Sequence, residues 1–416
     1  MKKYFYIIAP ALFFAFLSCF GNEVSGISDF FRNAGRISGI LGFLFIGLSI
    51  FIGTSSRFLD KYFGLEKILR FHRIFMFVSV AILFLHPFLL SVSNVLEGDY
   101  FAFAEYLWEY QFTFGVLAFI FFVFVVVSSY YFFKKINFTI WIIFHRLTIV
   151  FYFLSFIHIT YFAVLTSSYL YAKIIIYFGV CIFLLGVIIR IFLFFIKRKI
   201  KSVVVENIKE TGDTYSLKVK KPENFSFNAG QFCFISFNVK GMRKPHPFTI
   251  SSSPQDEFLQ FTIKSLGKFT SRIKDIKIGE TIIIDGPYGV FTYKRKNSVF
   301  IAGGVGITPF KSFISSFKEK EANFTLLFGN KTKDDILFKK ELDSARGGKV
   351  IHVLSSEKID GYESGFISKD IILKYCDLSE DFYLCGPPIL VKNTTAILTE
   401  LGIERRRIFN EKQFWS

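Results

Sequence analysis

Four of the chain's six histidines stand in two apolar stretches. "FHRIFMFVSVAILFLHPF" holds His72 and His86, fourteen residues apart, and "FHRLTIVFYFLSFIHITYF" holds His145 and His158, thirteen apart. Ionisable side chains are costly inside a membrane and usually functional there. At 1.5 Å rise per residue, the two histidines of each stretch lie about 20 Å apart along a helix. Four imidazoles at two matched depths on two parallel helices can ligate two haems, each held between the helices. The competing structural reading is four neutral histidines hydrogen-bonded between helices, and the matched depths favour ligation. Arg73 and Arg146 follow the two inner histidines in identical "FHR" triplets. They suit haem propionates and equally suit ordinary positive charge at the inner face of a membrane.

The spacing carries one conflict. At about 100° per residue, fourteen residues return to within about 40° of the starting face, whereas thirteen miss it by about 140°. Either the two metal sites are rotated relative to each other, or the helix bearing His145 and His158 is distorted.

The elements that must position these residues are membrane helices. Just over half of the 416 residues are hydrophobic, and nearly all the long apolar runs fall in the first 200 or so. A span needs about 20 apolar residues. Six runs qualify: 4–20, 37–54, 70–92, 112–133, 139–163 and 170–197. The first follows "MKK" and resembles a signal peptide, but six spans with a retained first helix give a consistent topology. Loop 55–70 carries Arg57, Lys61, Lys67 and Arg70, and Lys134 and Lys135 precede the fifth run. Loop 93–111 carries Glu97, Asp99, Glu105 and Glu109 and no Lys or Arg. The positive-inside rule therefore puts 55–70, 134–138 and everything after 197 in the cytoplasm. The expected location is a multi-pass protein of the cell inner membrane, in contact with lipid. The net charge of +17 fits a membrane's cytoplasmic face, and no basic–aromatic cluster points to nucleic acid. The five cysteines form no CxxC pair, which argues against an iron–sulfur cluster or structural zinc.

Residues 201–297 read as short alternating strands, among them "SLKVK", "QFCFISF", "FLQFTIK" and "ETIIIDG", the pattern of an antiparallel barrel. "HPFTISSSP" carries a turn and then small hydroxyl residues. A flavin needs a flat apolar wall and a hydrogen bond near its reactive nitrogen; Pro247 and Phe248 suit the wall and Thr249 the bond. In "KSLGKFTSRI", which opens at Lys264, Gly267 and Thr270 stand at an expected helix start, where backbone N–H groups can hold a pyrophosphate. Residues 298–416 alternate strand and helix in a doubly wound nucleotide-binding pattern. "AGGVGITPF" follows the first strand; Gly303, Gly304 and Gly306 permit close backbone approach, and Thr308 and Pro309 suit a first helical turn. "LCGPP" ends the last strand, where ligands bind at a topological switch point.

The order of these motifs resembles the ferric reductase and NADPH oxidase superfamily, and looks closest to compact bacterial NADPH oxidases. It runs from paired histidines through "HPFTISS", "GGVGITPF" and "CGPP" to an aromatic near the C-terminus. The resemblance implies three parts: a membrane all-α six-helix di-haem domain (1–200), an antiparallel β-barrel FAD domain (201–297) and an α/β doubly wound NAD(P)H domain (298–416). It implies FAD, two b-type haems and NAD(P)H as cofactors and substrate. His72 then pairs with His145 on the inner haem, and His86 with His158 on the outer. The flavin motif falls on His246, Pro247, Phe248 and Thr249, and the nicotinamide motif on Gly303 to Pro309. Cys385 matches the cysteine near the nicotinamide. Phe414 matches the C-terminal aromatic that covers the flavin, with Trp415 competing for that place. Leu90 stands where animal oxidases have a further histidine. The expected activity is electron transfer from cytoplasmic NAD(P)H to oxygen, giving superoxide, or to a ferric chelate. The reading from another class is a membrane transporter or structural protein with a regulatory flavin domain. Lys331 and Lys333 after the second strand suit either a 2′-phosphate or solvent, so NADH and NADPH both remain open.

Overall fold

The computed structural model describes residues 26–101, 110–129, 138–165, 170–195, 199–293, 297–317 and 323–411. Two compact units result: Met1–Phe58 with Lys67–Phe195, and Leu59–Glu66 with Ile196–Ser416.

The first unit is helical. Its elements are α1 (Ile27–Thr54), the greater part of α3 (Leu65–Leu96), α4 (Tyr110–Val127), α5 (Phe138–Arg146), α6 (Thr148–Ile159) and α7 (Leu170–Phe195). Four stretches are long and apolar enough to cross a membrane: Ile27–Thr54, Leu65–Leu96, Ile140–Phe162 and Ala172–Leu193; Phe112–Val127 is a shorter apolar helix. The expected first run, 4–20, lies outside the described residues. α1 is the enclosed helix. Its Phe45 and Ile46 are buried, and Phe43 stacks on Tyr152 of α6 at 4.5 Å between ring centres. Tyr152 stacks in turn on Phe183 of α7 at 4.6 Å. Phe77, Phe88, Phe153 and Phe192 are exposed, as lipid-facing residues are. Hydroxyls on these helices donate back to their own backbone: Ser38 to Gly35 O, Ser79 to Phe75 O and Ser91 to Pro87 O. In hydrocarbon that is the cheap way to satisfy them.

Two expectations change in detail. The acidic loop is shorter than 93–111, because α3 continues to Leu96, and Glu97 forms an ion pair with Arg32. Glu105 and Glu109 lie outside the described residues. The fifth run is not one regular helix. α5 ends at Arg146, α6 starts at Thr148, and Thr160–Leu165 is π-helical. At Leu147 the backbone N–H donates to Phe144 O, three residues back, at 3.0 Å. A three-residue bond winds the chain faster, toward about 120° per residue. That is the direction in which the thirteen-residue spacing needs correction.

The second unit holds two six-stranded sheets. β1 (Lys199–Lys209), β2 (Thr214–Lys220), β3 (Phe232–Phe237), β4 (His246–Thr249), β5 (Phe258–Lys264) and β6 (Thr281–Tyr288) are antiparallel, in the order β4-β3-β6-β1-β2-β5. Ile250, just beyond β4, bridges to Phe261 of β5, so the two edges meet and the sheet closes into a barrel. Ile235, Phe237, Phe261, Ile282 and Ile284 fill its interior.

β7 (Asn297–Gly303), β8 (Asn323–Asn330), β9 (Gly348–Leu354), β10 (Glu363–Ser364), β11 (Asp381–Cys385) and β12 (Ile408–Asn410) form a parallel sheet in the order β10-β9-β8-β7-β11-β12. Helices α8 (Thr308–Ser316), α9 (Lys339–Asp343), α10 (Lys369–Tyr375) and α11 (Pro388–Glu400) accompany it. Both faces are covered, one around Phe300, Phe310 and Tyr383, the other around Ile301, Leu327 and Phe382. Burial on two faces is why these strands are near-continuous apolar runs. Strand order reverses at β7, which has β8 on one side and β11 on the other. The carboxyl ends of β7 and β11 therefore border the crevice where doubly wound sheets bind ligands.

Candidate functional site

α3 carries His72 and His86, α5 carries His145 and α6 carries His158. The rings of His72 and His145 are 6.2 Å apart between centres with planes at 86°, and those of His86 and His158 are 6.4 Å apart at 71°. Two imidazoles bound through nitrogen on opposite sides of one metal, at about 2 Å each, place their centres about 6 Å apart. The Nδ1 of His86 faces Gly35 O at 2.8 Å. A carbonyl that holds Nδ1–H leaves Nε2 available to ligate. The Nδ1 atoms of His145 and His158 are buried without a partner. Among the described residues no three His, Cys, Asp or Glu side chains cluster. Each pair thus offers two ligands and, among those residues, no third. A zinc-type centre needs three or four protein ligands, whereas a macrocycle supplies four donors itself, so the residues present fit haem.

Glycines leave the space beside these rings. An added Cβ would lie 2.7 Å from His86 Nδ1 at Gly39 of α1, and 2.7 Å from His158 Cε1 at Gly115 of α4. At Gly53 it would lie 3.5 Å from His72 Cε1, an ordinary contact. Arg73 and Arg146 are both exposed, and Arg146 shares an electrostatic neighbourhood with Arg57 and Arg190.

In the barrel, "HPFT" is strand β4 rather than a turn. It pairs with β3 so that Phe232 opposes Thr249 and Phe234 opposes Pro247. The His246 ring stacks on Phe269 at 4.1 Å, and Phe248 stacks on the same ring at 6.0 Å. Phe269 thus joins the two motifs expected to hold flavin. Other members of the second motif are held within the chain. The Thr270 hydroxyl accepts from the N–H groups of Leu266 and Gly267, both at 2.9 Å, and opens a 3-10 turn (Thr270–Asp275). Lys264 pairs with Asp213 at 3.4 Å.

At the switch point, Gly303 ends β7, a 3-10 turn runs from Gly304 to Ile307, and α8 opens with Thr308 and Pro309. An added Cβ at Gly306 would lie 2.5 Å from Cys385 O and 2.6 Å from Gly386 Cα. The "GGVG" and "CGPP" turns therefore abut through bare backbone. The Ser312 hydroxyl of α8 donates to Ser252 O at 2.7 Å, which ties the nucleotide turn to the serines after the flavin motif.

The thiol of Cys385 donates to Glu411 Oε2 at 3.4 Å, and the Glu411 N–H donates to Leu384 O at 3.1 Å. Burial pushes the Cys385 thiol up, and the neighbouring carboxylate adds to this. Burial likewise pushes the Glu411 carboxyl up to about 7. Glu411 was not among the expected site residues; it belongs to no motif, and only its place just before the C-terminal aromatics marks it. Phe414 and Trp415 lie outside the described residues.

Three families match in succession: a ferric reductase like transmembrane component over residues 38–156, an FAD-binding domain over 196–292, and an oxidoreductase NAD-binding domain over 300–396. The chain belongs to the ferric reductase and NADPH oxidase superfamily. NADH-cytochrome b5 reductase 1 of Dictyostelium discoideum is 33% identical over 197 residues, 43% of this chain and 69% of that one. Dual oxidase 1 of Homo sapiens is 27% identical over 369 residues, 76% of this chain but 23% of the relative, so the chain spans about a quarter of that relative's length. A ferredoxin NADP+ reductase from Neisseria gonorrhoeae, solved with bound FAD and NADP, matches at a TM-score of 0.47 and 19% identity, covering 51% of this chain and 98% of that one. The protein is a membrane oxidoreductase with FAD- and NAD-binding domains.

Proposed function

We propose that this oxidoreductase is a transmembrane flavocytochrome b. It takes a hydride from cytoplasmic NAD(P)H and delivers single electrons across the inner membrane through FAD and two b-type haems. The acceptor is oxygen, giving superoxide, ahead of a ferric chelate. The observation that carries this reading is the two histidine pairs, 6.2 and 6.4 Å between ring centres, within apolar helices of a chain whose other half is a reductase module. The name of the dual oxidase relative supports oxygen as the first acceptor to test. One NAD(P)H and two oxygen molecules then give NAD(P)+, one proton and two superoxide ions.

When bound, flavin accepts a hydride and releases electrons singly, and haem iron relays them one at a time. The chain's residues position these groups. His72 with His145, and His86 with His158, would hold the two haems at an inner and an outer site, and with two ligands supplied by the chain at each, an acceptor would take electrons without binding the metal. Arg73 and Arg146, both exposed, would offer positive charge to haem propionates at the cytoplasmic side. Thr249 would offer its hydroxyl to the flavin and Pro247 and Phe248 would wall it, while His246, stacked on Phe269, and Gly267, whose N–H is held by Thr270, belong to the same binding region. The turn from Gly303 to Gly306 brings backbone N–H groups to the nucleotide's phosphates at the start of α8. Cys385 would stand near the nicotinamide.

A reduced-minus-oxidised spectrum of the purified chain tests the proposal. A b-haem band near about 560 nm with two haems per chain is expected. Its absence removes the electron path and favours a transporter or structural protein with a regulatory flavin domain. Anaerobic reduction by NAD(P)H, followed by admission of oxygen or a ferric chelate, then ranks the acceptors by haem reoxidation rate.

A further inference from the structure

The connector between α1 and α3 belongs to the second unit, although it lies between two helices of the first in sequence. It comprises the last residues of α2 (Ser56–Phe63) and the first turn of α3. Asp60 is 3% exposed. Its Oδ1 accepts from the Leu65 N–H at 2.6 Å, and its Oδ2 accepts from the Gly289 N–H, just beyond β6, at 2.9 Å. Leu65 is buried against Phe232 and Tyr288 of the barrel. Phe232 is the register partner of Thr249. Gly64 has φ +81, and a Cβ there would come within 2.9 Å of Val290. A buried carboxylate, an apolar foot and a bare glycine thus strap the connector to the barrel wall beside the flavin motif. Leu65 and His72 lie on one helix, seven residues apart, about 10 Å of rise.

We infer that Asp60 is a positioning residue for flavin-to-haem electron transfer: its carboxylate clamps the barrel to the turn of α3 that precedes the inner histidine. This rests on the flavocytochrome reading. The clamp acts through the connector and touches no reacting atom. A hydrogen bond to a charged acceptor, when lost, shifts a docking equilibrium by about ten- to a hundredfold.

The test uses the full-length chain in detergent or nanodiscs, mixed anaerobically with NAD(P)H while flavin and haem absorbance are followed separately. Asp60→Asn should leave flavin content and flavin reduction rate unchanged and slow haem reduction about tenfold. Leu65→Ala should give the same split, and in both variants the Gly289 amide should exchange with deuterium faster. A variant that slows flavin and haem reduction equally would make the role merely structural and overturn the inference. So would unchanged haem reduction. If the wild-type chain holds no haem, the flavocytochrome reading fails by itself. The clamp is then judged on Gly289 exchange alone, and unchanged exchange in both variants refutes it.

Discussion

Replacing Gly306 with Ala tests the switch-point geometry. The new Cβ would lie 2.5 Å from Cys385 O and 2.6 Å from Gly386 Cα, where ordinary contact begins at 3.4 Å. The two turns must part by about 0.9 Å, because the atoms met are backbone and no rotamer change relieves them. Overpacking of this kind costs about 1–3 kcal/mol. If that cost falls on the nucleotide-bound geometry, affinity drops about 5- to 150-fold. Anaerobic titration of flavin reduction with NAD(P)H measures it. The expected result is a raised half-saturation concentration with flavin content unchanged, since the atoms met by the new Cβ are those of Cys385 and Gly386 in the nucleotide-binding sheet, not of the barrel. Gly212→Ala is the control: its Cβ would meet nothing within 4 Å. A Gly306→Ala protein with normal nucleotide affinity would show that the two turns do not jointly form the site.

His72→Leu should remove the inner haem while flavin still passes electrons to a soluble dye; a variant retaining two haems per chain would refute the ligand assignment. Gly39→Ala and Gly115→Ala, each with a Cβ 2.7 Å from an outer histidine, should disturb one haem of the two in low-temperature spectra. Gly53→Ala, with 3.5 Å to His72, should not, and equal effects at all three would contradict the packing described. Glu411 has its folded-state pKa raised to about 7, above the ordinary value of about 4.3. The stability tied to its bound proton is fully present below about 4.3 and is lost as pH rises through about 7. Flavin-release melting between about pH 5 and pH 8 should therefore fall with pH, and Glu411→Gln should flatten the slope; an unchanged slope assigns it to other groups.

The reductase half was legible because its strands carry simple patterns. "NFTLLFGN" and "DFYLCGP" are apolar runs bounded by Gly and Pro, and they form β8 and β11. "FLQFTIK" became β5 over the residues expected. The stretch from His246 was read as carrying a turn; Pro247 lacks an N–H, but β4 ends the strand order, where a proline is tolerated. β1 begins in the basic stretch after the last membrane run, where charge hid the alternation of "KSVVVENIK". The thirteen-residue spacing left open rotated sites or a distorted helix; the break at Leu147, with a three-residue hydrogen bond to Phe144, is such a distortion. Asp60 and Glu411 were invisible for a common reason. Each is a lone carboxylate whose partners, Gly289 and Cys385, are distant in sequence, and no local period encodes such a contact.

The glycines of α1 also fix a height. Gly35, Gly39, Gly42 and Gly53 meet Leu90, His86, Leu83 and His72 of α3. At about 100° per residue all four fall within about 40° of one line. Moving α1 by one residue along its axis would swing this line about 100° and push side chains into both histidine levels. The bare face is therefore a vertical register that admits one setting of α1 against α3. One residue inserted between Gly42 and Gly53 would shift the inner level and spare the outer, separating two sites that otherwise depend on the same helix.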